Sequence, residues 1–306
     1  MQESTKQYSR AISSVAKRLA SSQTPARYVA SLGMEPFDWQ ADELSPRQDD
    51  RVLLLTARQS GKSTIVGAET VHVAKHNPRA LALVVCPSKD QSAIVMEKVD
   101  EFLNHDRSIR LRRDAVYTKE LWNKSQIHAL PGTERSVRGY SAPKLILLDE
   151  AARVPDETYM AVRPMLTGGG NKMIAATTAF GKRGWFYRAW TRQESRWRKI
   201  LVRVPWEPDG YELHPAMPED EYKAYWAERG IDAYYSTRHR YSDLLDDLGE
   251  QGETWFRQEY CCEFVDREGA VFNDDDILAA FRAEHIAAGL FTEEDYVSTD
   301  EALQIV

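Results

Sequence analysis

The sequence predicts an α/β fold in which a mostly parallel β-sheet is flanked by helices. Two observations lead to this prediction. From Arg51 onward, short apolar runs alternate with longer stretches that have helical periodicity. The chain of 306 residues is 42% hydrophobic and 10% aromatic, which is typical of a globular protein with a sizeable core. Its length fits one main domain with a smaller appendage.

The predicted elements follow one another in a regular order. Apolar runs predict strands over Val52–Thr56, Leu81–Cys86, Lys144–Leu148, Lys172–Thr177 and Lys199–Val204. Helical periodicity predicts helices over Lys62–His76, Asp90–Asn104, Glu219–Arg229 and Tyr234–Leu248. Weak alternation in Ala115–Thr118 and Gln126–Leu130 predicts a hairpin. Together these runs predict a sheet of about six to eight strands.

Changes in composition divide the chain into four regions. Residues 1–34 are polar with apolar positions at helical spacing and predict an N-terminal helical segment. Residues 35–205 form the predicted core. Tyr, Trp and acidic residues become frequent after it, so residues 206–265 predict a small C-terminal helical lid or linker subdomain. Residues 266–306 form an acidic, weakly patterned tail.

The net charge of −7 is unevenly distributed. Residues 207–306 contain 26 acidic and 7 basic residues, whereas residues 1–206 contain 33 basic and 21 acidic residues. The basic part is where nucleic acid could bind, and an ordinary mixed-charge surface is the alternative.

Cysteine content and hydropathy argue against a disulfide-stabilised protein, a cysteine metal site and a membrane protein. Three cysteines, Cys86, Cys261 and Cys262, give neither a disulfide framework nor a metal-binding spacing, and they fit small buried side chains in a reducing compartment. The apolar runs are too short to span a bilayer, so we expect a cytoplasmic protein without a membrane partner.

The segment between the first predicted strand and helix has the composition of a phosphate-binding loop. Thr56–Thr64 reads TARQSGKST, in which Gly61, Lys62 and Ser63 match the pattern GxxxxGK[ST], while Thr56 stands at the first glycine position. The loop would direct backbone N–H groups and a helix N-terminus at phosphates. Lys62 would reach the β- and γ-phosphates, and the Ser63 hydroxyl would bind Mg²⁺. The residues expected to contact ATP here are Arg58, Gln59, Ser60, Gly61, Lys62, Ser63 and Thr64.

A second motif is a pair of carboxylates at the end of an apolar strand. Leu145–Leu148 precedes Asp149 and Glu150, as in a Walker B element. Asp149 would hold Mg²⁺ through water, and Glu150 would act as general base on the attacking water. A strand end or helix cap is the structural alternative for this pair on its own. Together with Lys62, the pair predicts a P-loop NTPase fold of the RecA/ASCE-like type.

These two motifs and several others resemble the ATPase domain of the large terminase subunit of tailed phages. The similar segments are Ala57–Thr64, Leu145–Ala151, Pro36–Gln40, Cys86–Ala93, Ala175–Tyr187, Trp255–Phe264 and Gly269–Phe272. They occur in the order expected for that family and cover roughly residues 35–275.

The resemblance implies roles for further residues. Gln40 would read the adenine edge, and Thr177 and Thr178 would sense the γ-phosphate and couple hydrolysis to motion. Arg138, in the segment SVRG, matches the arginine finger that acts on the ATP of a neighbouring subunit. Arg58 is the rival candidate for a catalytic arginine, and pairing with a surface carboxylate is the alternative for Arg138.

The resemblance also implies partners. ATP hydrolysis with Mg²⁺ would drive double-stranded DNA into a viral procapsid, in the cytoplasm of the infected bacterial host. The subunits would form a homo-oligomeric ring, a pentamer, on the portal protein and would be guided by a small terminase subunit.

Basic residues beside aromatic ones are the candidate DNA contacts. Lys182, Arg183 and Arg188 lie next to Trp185 and Phe186 in the sequence. Basic groups would track phosphates without reading sequence. A core position is the alternative for the two aromatic residues. A second candidate group, with a solvated surface as its alternative, consists of Arg107, Arg110, Arg112 and Arg113.

The sequence departs from the family near its end. Family members continue into a nuclease domain, whereas about thirty-four residues follow Phe272 here, too few to build a folded two-metal site. We therefore expect no nuclease activity from this chain alone, with the nuclease domain either removed from the sequence or carried by a separate polypeptide. Two other functions remain open: a helicase-like DNA translocase, and a nucleotide-switched DNA-binding or assembly protein.

Overall fold

A computed structural model describes residues 24–44, 51–166 and 171–265. Predictions for residues 1–23 and for the acidic tail, 266–306, lie outside the described residues. The α-helices are α1 Pro25–Ser31, α2 Asp38–Glu43, α3 Lys62–His76, α4 Lys89–His105, α5 Glu134–Val137, α6 Asp156–Val162, α7 Gly184–Thr191, α8 Glu219–Ala227, α9 Tyr241–Gln251 and α10 Glu253–Glu259. The strands are β1 Arg51–Thr56, β2 Leu81–Cys86, β3 Leu111–Ala115, β4 Thr118–Leu121, β5 Gln126–Pro131, β6 Leu145–Asp149, β7 Lys172–Thr177, β8 Arg198–Arg203, β9 Trp206–Asp209, β10 Glu212–Pro215 and β11 Ile231–Tyr235. Short 3₁₀ helices cover Ala151–Arg153 and Arg163–Leu166.

Nine of these strands form one sheet in the order β11-β8-β1-β7-β6-β2-β5-β4-β3. The seven strands from β11 to β5 are parallel, and β4 and β3 continue the sheet in antiparallel fashion. The predicted α/β fold with a mostly parallel, helix-flanked sheet is therefore confirmed.

The core lies on both faces of this sheet. Strands β1, β2, β7 and β8 are buried along almost their whole length, which fits the largely apolar sequences of the first three, whereas β8 also buries Lys199 and Arg203. On one face, α1 to α4 contribute residues such as Tyr28, Ile65 and Phe102 to a first cluster. On the other face, α6 to α10 contribute Trp185, Leu248 and Phe256 to a second cluster. Burial on both faces fixes the sheet between two helical layers.

The region after β8 differs from its prediction. A helix was predicted over Tyr234–Leu248, but Ile231–Tyr235 is a strand that pairs in parallel with β8, and the helix begins at Tyr241. β9 and β10 form a separate two-stranded sheet. The region is thus mixed α/β rather than helical, and its strand β11 extends the main sheet beyond the eight strands expected.

Two further features bear on the sequence predictions. All three cysteines are buried and free, as expected for small buried side chains. Among the described residues, no helix combines the length and the apolar composition needed to cross a bilayer.

Parallel pairing places the carboxyl ends of the central strands at one edge of the sheet. Strand β1 ends at Thr56, its neighbour β7 at Thr177, and the next strand β6 at Asp149. Strands β2 and β5 end at the same edge. Ligands of open α/β sheets bind at this edge, and all the predicted catalytic motifs follow these strands.

A candidate nucleotide-binding site

The turn from β1 to α3 has the backbone of a phosphate-binding loop. Gly61 caps the N-terminus of α3 with a φ of 101°, and Gln59 has a φ of 56°. Thr56, which replaces the first glycine of the motif, ends β1 without positive φ and is fully buried. The backbone therefore needs no glycine there. The first N–H groups of α3 have no acceptor within the helix and face its N-terminal end.

Lys62 meets both predicted carboxylates. Its Nζ donates a short hydrogen bond to Glu150 Oε1 and lies 3.5 Å from Asp149 Oδ1. The side chains are largely buried, with exposed fractions of 11% for Lys62, 13% for Asp149 and 21% for Glu150. The structure thus brings Lys62 into contact with two side chains that follow it by 87 and 88 positions in the sequence.

Burial and mutual contact shape the charges of this trio. Burial lowers the pKa of Lys62, but Asp149 and Glu150 outweigh it, so the pKa of this ammonium group is raised above its usual 10.5. Burial raises the pKa of Asp149, with Lys62 opposing and Glu150 adding to the shift, and the net direction is upward. Lys62 therefore stays positive, and a second cation near Asp149 would relieve the repulsion between the two carboxylates.

The oxygens present suit a divalent cation. Asp149 Oδ1 and Glu150 Oε2 are buried and accept no hydrogen bond from any residue that the structure describes. Ser63 is exposed in the first turn of α3. Carboxylate and hydroxyl oxygens are the ligands that Mg²⁺ prefers, commonly with retained waters and substrate phosphates. Within the described ranges, no cluster of three His, Cys, Asp or Glu residues forms a metal cage by itself.

The loop after β6 is tied to the end of β7. Glu150 has a left-handed backbone, with a φ of 49°, at the start of a 3₁₀ turn. The Ala152 N–H in that turn donates to Thr177 Oγ1 at 3.3 Å, and the same hydroxyl donates to the Thr178 carbonyl at 2.7 Å. Of the two predicted coupling residues, Thr177 is therefore in direct contact with the loop that carries Glu150, and Thr178 is linked to it through the Thr177 hydroxyl.

Gln40 is buried against the phosphate loop. Its Nε2 donates to the Gly61 carbonyl at 2.9 Å, and its Oε1 accepts from the Phe37 N–H at 3.0 Å. Because an amide has two N–H donors and two lone pairs, one donor and one acceptor of Gln40 are left unused by the described residues. Such a pair can bind the N6 and N7 edge of adenine in a bidentate manner.

Two residues that the sequence analysis did not select hold Arg58. The Arg58 N–H donates to the Glu259 carbonyl at 2.7 Å, and its carbonyl lies 2.7 Å from His239 Nε2. The carboxylate of Glu259, which is 5% exposed, lies 4.0 Å from Arg58 and 3.6 Å from Arg153. The segment WFRQEYCCEF was the available signal, but it pointed to a region and not to Glu259.

Arg238 was also missed. It lies in the connection from β11 to α9, and its guanidinium carbon is 5.6 Å from the centre of the Phe37 ring. A Cβ atom added to Gly61 would lie 3.2 Å from Arg238 Nη1 and 2.7 Å from Gln40 Nε2. Arg238 therefore lies directly beside the loop, although 177 residues separate it from Gly61 in the sequence.

Arg138 follows β5, which lies two strand positions from β6, the strand that ends at Asp149, and four from β1. It is exposed and follows α5, which begins three residues after the end of β5. Strands β7, β6 and β2 separate β5 from β1, so the ends of β1 and β5 are roughly 19 Å apart at the usual strand spacing.

The candidate DNA contacts show two kinds of environment. Trp185 and Phe186 are buried, with exposed fractions of 4% and 1%, so the core alternative holds for both. Arg183 lies over the Phe180 ring at 5.2 Å, and Lys182 is half-buried. Arg188 is exposed and pairs with Asp156. The second group, Arg107, Arg110, Arg112 and Arg113, is largely exposed next to the antiparallel edge of the sheet.

Comparisons with known proteins agree with this architecture. The family model for the N-terminal part of the T4likevirus-type terminase large subunit matches residues 53–279. The large terminase subunits of Thermus phage G20c and Thermus virus P23-45 are each 26% identical over 291 residues, which cover 88% of this chain and 56% of each relative. The chain thus spans about half the length of the curated relatives that it matches.

Solved structures show the same fold at low sequence identity. The large terminase ATPase domain of Thermus phage P74-26 has a TM-score of 0.56 at 18% identity, covering 78% of this chain and 98% of that domain. The large terminase of bacteriophage HK97 has a TM-score of 0.57 at 17% identity, covering 75% of this chain and 51% of that protein. The large terminase of a thermophilic bacteriophage, in complex with ADP, has a TM-score of 0.51 at 11% identity, covering 74% and 52%. Because the family model matches more than half of the sequence, the chain belongs to the terminase large subunit family, in its N-terminal part.

Proposed function

We propose that this chain is the ATP-hydrolysing motor part of a phage large terminase and moves double-stranded DNA into a procapsid. The observation that carries the proposal is the contact of Lys62 with Asp149 and Glu150 beneath the N-terminus of α3. A helix N-terminus with a lysine suits a triphosphate, and two carboxylates suit a metal and an attacking water. Family membership and the ADP complex of the thermophilic phage relative support the nucleotide.

Each side chain in the trio has a proposed role. Lys62 binds the β- and γ-phosphates, while Ser63 and Asp149 would hold Mg²⁺, which neutralises phosphate charge when bound. Glu150 accepts a proton from the attacking water. Its carboxylate suits this role because one oxygen is paired with Lys62 and the other, Oε2, has no partner among the described residues.

Gln40, Thr177 and Thr178 connect the site to its surroundings. Gln40 recognises adenine with its remaining donor and acceptor. The two threonines report the state of the γ-phosphate because Thr177 holds the loop that carries Glu150. The remaining loop residues, Arg58, Gln59, Ser60, Gly61 and Thr64, surround the phosphates.

Arg138 is proposed to act on the ATP of a neighbouring subunit. Its exposed position after β5, four strand positions from β1 in the sheet, supports action in trans. Arg58 remains the rival because it lies within the loop itself, where Glu259 and Trp255 contact it. A guanidinium at the γ-phosphate can accelerate transfer about 10³- to 10⁵-fold.

The proposed partners are double-stranded DNA, the portal protein, the small terminase subunit and further copies of this chain in a ring, a pentamer. The site of action is the host cytoplasm. Lys182, Arg183 and Arg188 are candidates for contacting DNA phosphates, and Arg188 would have to leave Asp156 to do so.

ATPase rates measured with and without double-stranded DNA, portal and procapsid test the proposal. Strong stimulation by the packaging partners supports a packaging motor. Stimulation by single strands together with unwinding would instead indicate a helicase-like translocase. ATP binding with negligible turnover under every condition would indicate a nucleotide-switched DNA-binding or assembly protein. Glu150→Gln is the control, because any rate that persists in it does not come from this site.

A further inference from the structure

The connection from β11 to α9 crosses the phosphate loop and touches it at two points. Residues 236–240 read STRHR, and their His239 Nε2 lies 2.7 Å from the Arg58 carbonyl. The neighbouring Arg238 extends to the other end of the loop, beside Gly61. Residues 236–240 are therefore held to the start of the loop by His239 and place the Arg238 guanidinium beside the end of the loop.

The partner of that guanidinium is Phe37, at the start of α2. The Phe37 ring is 38% exposed, which is high for a phenylalanine whose neighbours Trp39 and Gln40 are buried. The backbone N–H of Phe37 donates to the side-chain amide of Gln40, and this hydrogen bond keeps the Phe37 ring close to that amide. The Phe37 ring, the Arg238 guanidinium and the Gln40 amide therefore lie close together beside Gly61.

This combination suits a flat, nitrogen-rich ring. Guanidinium groups and phenylalanine rings both stack on nucleobases, and the amide of a glutamine can bind the edge of adenine. A phosphate group gains nothing from the aromatic surface that Phe37 offers, whereas a base does. The Phe37 side chain has no role in binding phosphates.

We propose that Phe37 and Arg238 form the two walls of the base-binding site, with Arg238 stacking on the base from the side opposite Phe37. The inference rests on the proposed nucleotide-binding function and adds a specificity-determining residue from the region after β8. Two stacked contacts need about 7 Å between the walls, at about 3.5 Å each. The present separation of 5.6 Å therefore opens by about 1–2 Å when a base enters.

Direct binding measured by titration calorimetry tests this assignment, with ATP, UTP and inorganic tripolyphosphate as three separate probes. Arg238→Ala and Phe37→Leu should each weaken ATP binding about tenfold, the loss expected for one base-stacking contact. Both should leave the affinity for tripolyphosphate within about twofold, because neither wall contacts phosphates. Arg238→Lys keeps the charge but not the planar group, so it should resemble Arg238→Ala. The preference for ATP over UTP should fall in all three variants.

The matched control is Arg240→Ala, which removes an exposed arginine from the same connection, two residues away. It should bind all three probes like the natural chain. Equal losses for ATP and tripolyphosphate in Arg238→Ala would overturn the assignment in favour of a phosphate contact. Unchanged ATP affinity in Arg238→Ala would overturn the assignment as well. So would a loss of ATP affinity in Arg240→Ala as large as that in Arg238→Ala. A natural chain that binds tripolyphosphate and ATP alike, or neither, would contradict the nucleotide-binding proposal itself, whatever the variants do.

Discussion

At the level of single residues, the site depends on charges that compensate one another in a buried place. Lys62, Asp149 and Glu150 were predicted from sequence because each belongs to a short motif with a fixed local structure. Thr56 looked like a defect in the loop motif, yet the backbone shows that glycine is not needed there. Arg238 and Glu259 could not be predicted, because only the tertiary fold brings them to the loop and no local pattern marks them.

Thr177 provides a first prediction. Thr177→Val removes the acceptor of the Ala152 N–H and should cost about 1–3 kcal/mol of unfolding free energy, because the group is buried. ATP turnover should fall too, since the loop that carries Glu150 loses an anchor. Urea unfolding and steady-state ATPase assays measure the two effects. Thr177→Ser keeps the hydroxyl and is the control, and equal behaviour of both variants would contradict the role given to this oxygen.

Gly61 provides a second prediction. Gly61→Ala should reduce the unfolding free energy by about 1–3 kcal/mol, because its φ of 101° is unfavourable for alanine. The new Cβ would also meet Gln40 Nε2 at 2.7 Å. ATP affinity should fall with it. Gly249→Ala is the matched control, as nothing lies within 4 Å of its added Cβ. Thermal unfolding measures the stability of the two variants, and calorimetric titration measures their ATP affinity. A Gly61→Ala variant with unchanged stability and unchanged ATP affinity would refute the loop geometry.

At the level of elements, prediction succeeded where strands are long, apolar and buried on both faces. The ranges of α3, β2 and β7 match the predicted residues. Prediction failed for β11 because IDAYY mixes polar and aromatic residues, and its strand state depends on pairing with β8, which no local pattern encodes. The polar edge strands β3 and β4 were only partly predicted, since β3 is mostly exposed.

The contact between α10 and the phosphate loop gives a third prediction. In Glu259→Gln, a neutral amide faces Arg58 and Arg153, so the last turn of α10 should hold the loop less firmly. Hydrogen–deuterium exchange should then speed up at Arg58, whose N–H donates to the Glu259 carbonyl. Glu263→Gln, which affects only the ion pair with Arg257 in the described part of the chain, should leave this exchange unchanged. Equal exchange in both variants would contradict the proposed contact.

Helix α2, which carries Gln40, is held by a buried charge cluster that predicts a pH dependence. Glu43 lies 3.2 Å from Lys172 Nζ, which donates to Glu69 at 2.7 Å. Burial, opposed by Lys172 and reinforced by Glu69, raises the pKa of Glu43 from 4.5 to about 7. Because the folded state holds this proton more tightly than the unfolded state, stability should decrease as pH rises from about 4.5 to 7.

Unfolding free energies measured across this pH range test that sign. The contribution of Glu43 should decline by on the order of 1–3 kcal/mol toward pH 7. Glu43→Gln removes the titrating group and should flatten the profile over the same range. A profile that is identical in the natural chain and in Glu43→Gln would refute the raised pKa.

At the level of the whole molecule, the central claim is a complete hydrolytic site whose activity depends on a neighbouring subunit. A mixture of Arg138→Ala and Lys62→Ala subunits tests the shared part. Each variant alone should be inactive, whereas co-assembled subunits should recover part of the ATPase activity, because intact loops then face intact arginines. Absence of recovery in a ring that still assembles would favour Arg58 over Arg138.

The most direct measurement compares ATP turnover with ATP binding in the natural chain and in Glu150→Gln. Removing the general base while keeping the shape of the side chain should lower turnover about 10²- to 10⁴-fold. ATP affinity should change little, because Lys62 and the loop backbone still contact the phosphates. A variant that binds ATP normally and hydrolyses it at nearly the natural rate would contradict the assignment of Glu150 and, with it, the hydrolytic site described here.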